Sequence, residues 1–186
     1  MKARHDVRLL ATPPEGVYLT VSASSQRFDR HWHDCYGFGL LDRGGQRWLS
    51  RCGSVEAYSG TLINTNPGEV HDGQPLGHET RAWRILSVPV PVMAQALERD
   101  AGALEIAPPV IEDRELIAVL RTLLRQLHGW HSHRASSEAL AFEESLVATC
   151  TLLMSRHGAR PFHEKDGEGS LAAVRERLAD VGRAGP

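Results

Sequence analysis

Three histidines carry the most specific chemistry in this sequence. His31 and His33 stand two residues apart in a run rich in strand formers, and His71 closes the turn Pro67-Gly68-Glu69-Val70. Side chains along a strand alternate between its faces, so His31 and His33 project from the same one. An imidazole just after a Pro-Gly turn reaches that face if the strands curl into a small barrel. Neutral imidazole ligates zinc, iron, copper and nickel, and it also hydrogen-bonds a polar ligand at a pocket mouth. Spacing alone leaves both readings open.

Other residues extend this candidate site. Arg43, at a turn, has the strand parity of His31 and His33, and an inward guanidinium there would suit a carboxylate or sugar hydroxyls. A solvated turn arginine is the plainer alternative. Trp48 and Trp83 lie on neighbouring β runs, as a floor for stacking or as ordinary core. If the chain folds back about Arg43-Gly44, Cys35 faces Cys52 as a possible redox pair. The sequence contains no Gly-x-Ser-x-Gly, no phosphate-binding loop and no Gly-x-Gly-x-x-Gly. The expectation is therefore no catalytic residue and no enzyme.

The elements that must position these residues are mostly short strands. Val17 to Ala23, Phe28 to Leu41, Gln46 to Cys52, Val55 to Tyr58 and Leu62 to Thr65 have strand composition. Asp42-Arg43-Gly44-Gly45 suits a hairpin turn. Arg81 to Val90 is the last strand, stopped by Pro89 and Pro91. Glu112 to His128 then carries apolar residues at helical spacing, ended by Gly129. Ser136 and Ser137 offer caps for a second helix reaching about Arg156. Its apolar stripe is wide enough to meet a second copy, and Leu140, Leu146, Val147 and Leu153 are the expected dimerisation residues. Leu171 to Ala179 begins another helix.

Composition narrows the class. The 186 residues carry 21 basic against 23 acidic side chains, a net charge of −2 that gives no electrostatic footprint for nucleic acid. Three unclustered cysteines follow the pattern of free thiols rather than a disulfide framework. No apolar run is long enough to span a bilayer. A soluble, cytoplasmic chain is expected.

The pair His31-Trp32-His33 and the later Pro67-Gly68-Glu69-Val70-His71 resemble the two motifs of the cupin barrel. The resemblance implies a mainly β fold with α: a cupin-like barrel (double-stranded β-helix or jelly roll) followed by an antiparallel helical hairpin. Metal-binding cupins usually add a Glu four or five residues past the second histidine, where this chain has Gly37 and Phe38. No resident metal and no cofactor are expected. A stand-alone metal-dependent enzyme using His31, His33 and His71 is the alternative.

The order of parts resembles AraC-type transcription regulators from about Arg30 to Asp180. The most specific piece is Gly60-Thr-Leu-Ile-Asn-Thr-Asn-Pro-Gly-Glu-Val-His71 with Arg81-Ala-Trp83. The resemblance implies a small-molecule effector held in the barrel, contacting His31, His33, Arg43, Trp48, His71, Trp83, Ile85 and Ser87. It implies a homodimer formed through the helices, and DNA bound only by a further C-terminal domain. The expected division is 1–110 for the barrel, 111–160 for the dimerisation hairpin, and 161–186 for a linker and the start of the DNA-binding domain. The chain reads as a regulatory-domain fragment or a naturally short relative.

Overall fold

Alternation along the strands divides the molecule into a helix-packed face and a cavity face. The computed structural model describes residues 5–159 apart from positions 78, 99, 102, 103 and 134. The linker and helix expected over 161–186 lie outside the described residues. The strands are β1 (His5–Ala11), β2 (Tyr18–Ser24), β3 (Phe28–His31), β4 (Cys35–Arg43), β5 (Gly45–Ser50), β6 (Gly53–Tyr58), β7 (Leu62–Thr65), β8 (His71–Pro75) and β9 (Arg81–Pro89). There follow α1 (Val90–Leu97), β10 (Glu105–Ile106), β11 (Val110–Ile111), α2 (Arg114–His133), α3 (Ser136–His157) and β12 (Gly158–Ala159). The architecture is mainly β, with antiparallel pairing throughout.

One sheet has six strands in the order β1-β2-β9-β4-β7-β11, and another has four in the order β3-β8-β5-β6. Along β4, Tyr36, Phe38 and Leu40 point to the helical side, as do Leu86 and Val88 of β9 and Leu19 of β2. They form one buried core with Leu116, Leu120, Leu123 and Leu127 of α2 and Phe142, Leu146, Cys150 and Leu153 of α3. The opposite parity faces the four-stranded sheet. A second cluster of Leu41, Ile63, Trp48 and Ala57 joins the two sheets.

Gly39 is required by close approach in this packing. A Cβ there would lie 1.8 Å from the backbone oxygen of Arg84 on the paired strand.

Three local expectations are corrected. Phe28 to Leu41 is not one strand: β3 ends at His31 and β4 begins at Cys35 in the other sheet, so His33 lies between the two strands rather than on one face with His31. Asp42 to Gly45 is no hairpin, because β4 is already flanked by β7 and β9 and offers no open edge to β5. The chain instead leaves one sheet at Gly44, whose φ of +76° suits glycine, and enters the other. Cys35 therefore pairs across β9 with Pro89 while Cys52 is exposed, and both thiols are free.

The helices depart from their punctuation: α2 begins at Arg114 rather than Glu112 and runs on past Gly129 to His133, and α3 ends at His157. Pro89 and Pro91 do stop the strand, yet α1 starts immediately, since proline is tolerated in a first helical turn. The α2 helix runs through Gly129. Its propensity penalty of about 1 kcal/mol is small against the packing that flanks it, Leu127 in the core and Trp130 against it. Asp113 caps α2 through Oδ1, which accepts from the backbone N–H of Glu115 and Leu116. At α3 the capping position falls on Ala135, with no side-chain hydrogen bond, rather than on Ser136 or Ser137. The two helices pack together. Arg156 and His157 at the end of α3 pair with Asp113 beside the start of α2.

Candidate functional site

A cavity of about 400 Å³ lies between the sheets, within the size range of small-molecule sites. Period two builds its walls. Trp83, Ile85 and Ser87 face it from β9, because their even-numbered neighbours Leu86 and Val88 are committed to the core. Tyr18, Thr20 and Ser22 do the same from β2, and Cys35 and Gly37 from β4. Phe28, Gln46, Trp48 and Gly73 close it from the four-stranded sheet.

His31, His33 and His71 converge at the exposed edge of this cavity. His31 and His71 are register partners in β3 and β8. Their ring centroids lie 4.4 Å apart, with His33 5.1 Å from His31 and 5.4 Å from His71. Each offers a ligand atom within 4.8 Å of the others. The Nδ1 atoms of His31 and His71 lie 2.7 and 2.9 Å from the carbonyl oxygens of Asp29 and Glu69. A carbonyl only accepts, so Nδ1 carries the proton in both rings and the Nε2 lone pair is left free.

Burial, with the neighbouring charges of His71 and His31, holds His33 below the ordinary imidazole range. Burial does the same to His71, outweighing the hydrogen bond to Glu69. Both favour the neutral form that ligates a metal or accepts a hydrogen bond. Three imidazoles, two with anchored Nδ1–H groups, fit a borderline divalent metal such as zinc or nickel. No acid completes the group among the described residues. Glu69 is turned away, its Oε2 accepting from the backbone N–H and the side-chain amide of Asn66.

The remaining expected residues divide. Trp48, Trp83, Ile85 and Ser87 line the cavity. Arg43 does not: a register shift between Leu41 and Arg43 breaks the parity, and its side chain is exposed. Leu146 and Leu153 belong to the chain's own core, whereas Leu140 and Val147 are 56% and 46% exposed.

The guanidinium that does reach the cavity is Arg81, two residues before Trp83 and thus on its face. Extending the parity of Trp83, Ile85 and Ser87 by one step would have found it. Arg81 is 1% exposed. Its Nε donates to Gln46 Oε1 at 3.2 Å and its Nη1 to the backbone oxygen of Gln26 at 2.9 Å. Its Cζ lies 5.2 Å from the ring centroid of Phe28 and 4.9 Å from that of Trp83. Burial lowers it to about 10. Two further wall residues have orphaned polar atoms among the described residues, the indole Nε1 of Trp48 and Oδ1 of Asn64.

Comparison with known proteins adds the following. The model of the AraC-like ligand binding domain matches residues 13–144. None of the curated proteins matches the chain. Among solved structures, a conserved protein of unknown function from Streptococcus pyogenes is 15% identical over 48% of this chain and 77% of its own, with a TM-score of 0.42. A variant oxalate decarboxylase from Bacillus subtilis is 15% identical over 48% of this chain and 26% of its own, at 0.42. An RmlC-like cupin family protein with a double-stranded β-helix fold from Methanocaldococcus jannaschii is 12% identical over 47% and 83%, at 0.43.

These findings correct the expectation that the chain is no enzyme. An enzyme, the oxalate decarboxylase, stands among the structures similar to it. The three histidines, expected as effector contacts, do converge with their ligand atoms together, with no acid beside them among the described residues.

Proposed function

Because the chain belongs to the AraC-like ligand-binding domain family, we propose that it senses a small-molecule effector held between its two sheets. The observation that carries this reading is the cavity itself, walled by indole, phenyl and imidazole rings with buried polar groups among them. Such a mixture of apolar wall and sparse polar groups is what small-molecule recognition uses. His31, His33, His71, Trp48, Trp83, Ile85 and Ser87 contact the effector in this reading. An organic ligand, rather than a resident metal, occupies the site.

The proposal extends to the rest of the molecule. The cupin-like barrel of residues 1–110 binds the effector, and an antiparallel helical hairpin over 111–160 forms a homodimer. Leu140 and Val147, seven residues apart on α3 and both exposed, supply the dimer seam as in a short coiled coil. Residues 161–186 lead toward a DNA-binding domain, through which a cytoplasmic regulator acts on transcription. No helix among the described residues is long and apolar enough to cross a membrane.

A thermal-shift panel of small metabolites tests the reading. Binding to the folded state alone stabilises it by about 2.7 kcal/mol at a hundred times Kd. The expected outcome is a compound that raises the melting temperature of the wild type and leaves Ile85→Trp, whose indole fills the cavity, unmoved. A compound that stabilises both proteins equally binds elsewhere and sinks the assignment of the cavity.

A further inference from the structure

We infer that the effector is a small organic carboxylate with an apolar or aromatic body, and that Arg81 holds its carboxylate. The inference rests on the effector reading above and narrows it to a chemical class. A guanidinium cannot shed its charge by deprotonation near neutral pH, so burying one is unfavourable unless an anion or a dense set of acceptors surrounds it. Arg81 is among the most deeply buried large side chains of the molecule. No acidic side chain among the described residues forms a hydrogen bond or ion pair with it. Its hydrogen-bond acceptors are neutral, the Gln46 side chain and the Gln26 carbonyl.

Asp72, the carboxylate that also lines the cavity, is committed elsewhere: its Oδ1 accepts from the Leu49 backbone N–H at 2.7 Å. Burial lowers the affinity of Arg81 for the proton, and it is faced from within by two neutral acceptors and two ring faces, with no counter-charge among its hydrogen-bond partners. Phe28 and Trp83 pack around the guanidinium and restrict its orientation. Its Nη2 lies beside Gly73, 3.5 Å from where a Cβ would stand. A planar fork held in this way matches a carboxylate. The rings beside it, with Ile85 and the body of Trp48, accept an apolar body.

The test uses matched probes on the full chain: phenylacetate, indole-3-acetate and octanoate, each against its primary amide, with inorganic phosphate alone as a further probe. Titration calorimetry on the wild type reads the head group directly, whatever the variants do. Charge-assisted hydrogen bonds predict that a carboxylate binds about tenfold to a hundredfold tighter than its amide. Arg81→Gln is expected to reduce the acid to the affinity of its amide and to leave the amide unchanged. Equal affinity of acid and amide for the wild type overturns the carboxylate class while the cavity remains a ligand site. Phosphate bound as tightly as the carboxylates overturns it in favour of a general anion site. Absence of binding by both acids and amides at millimolar concentration overturns the inference together with the effector reading.

Discussion

At the scale of single residues, the surroundings of His33 and His71 favour the neutral form of both rings. His33 and His71 both have affinities for protons below the ordinary imidazole value of 6.5, burial being the largest cause in each. The sign of the pH dependence follows. As pH falls past 6.5 the unfolded chain takes up protons that the folded site resists, so the unfolded state binds more of them. Stability is fully present above that pH and is lost as the pH drops through the two folded values. Urea midpoints are therefore expected to fall between about pH 8 and about pH 5. His71→Gln is expected to flatten the profile, since it removes one of the two groups and relieves its neighbour. Asp113 acts in another window: Arg156 holds its carboxyl well below the usual carboxylate range, so its contribution is lost only in stronger acid. A midpoint unchanged over that pH interval would contradict the account.

At the scale of elements, α3 shows two faces whose roles differ by one residue of register. Leu146 is 3% exposed and packs in the core shared with Phe38 and Leu120, while Val147 next to it is open. Leu146→Ala is expected to cost about 2–5 kcal/mol, the range for a buried leucine leaving a cavity, measured as a shift in the urea midpoint. Val147→Glu is expected to leave stability within about 0.5 kcal/mol, as surface changes do, and to weaken self-association in sedimentation. A variant Val147→Glu that stays as self-associated as the wild type would remove α3 from the dimer seam. The apolar stripe of α3 is legible as a stripe in the sequence. Which edge of it is spent on the chain's own sheet is not, because that depends on where α2 and the strands lie.

At the scale of the whole molecule, the six-stranded sheet and the helices share one core. Phe38, Leu40, Leu86 and Val88 are each at most 2% exposed and meet α2 and α3 directly. Burying such a side chain is worth about 1.5–3 kcal/mol each, so the strands without the helices would bare an apolar sheet. The segments proposed to bind effector and to dimerise are therefore expected to unfold together. Circular dichroism at the helical band and the fluorescence of Trp48 and Trp83 in the cavity wall, read in a Trp32→Phe/Trp130→Phe background, should give one coincident transition. Two separated transitions would show that the helices are an independent unit.

The division between what sequence determined and what only packing decided follows from range. Strand alternation is a property of local covalent geometry. It placed Trp83, Ile85 and Ser87 on one face, and it would have placed Arg81 there too. The apolar stripes of α2 and α3 were legible for the same reason, whereas His33 lies past the end of β3 and meets His31 and His71 through the course of the chain between β3 and β4, not by alternation along one strand. Strand partners are set by how the strands assemble into the two sheets, which no local window contains. The occupied flanks of β4 turned an expected hairpin into a crossing between sheets, and they separated Cys35 from Cys52. The register shift between Leu41 and Arg43 in the pairing of β4 with β9 turns Arg43 out of the site, and the guanidinium in its wall is that of Arg81. Burial of Leu146 rather than Leu140, and the passage of α2 through Gly129, were likewise decided by contacts between residues far apart in the chain.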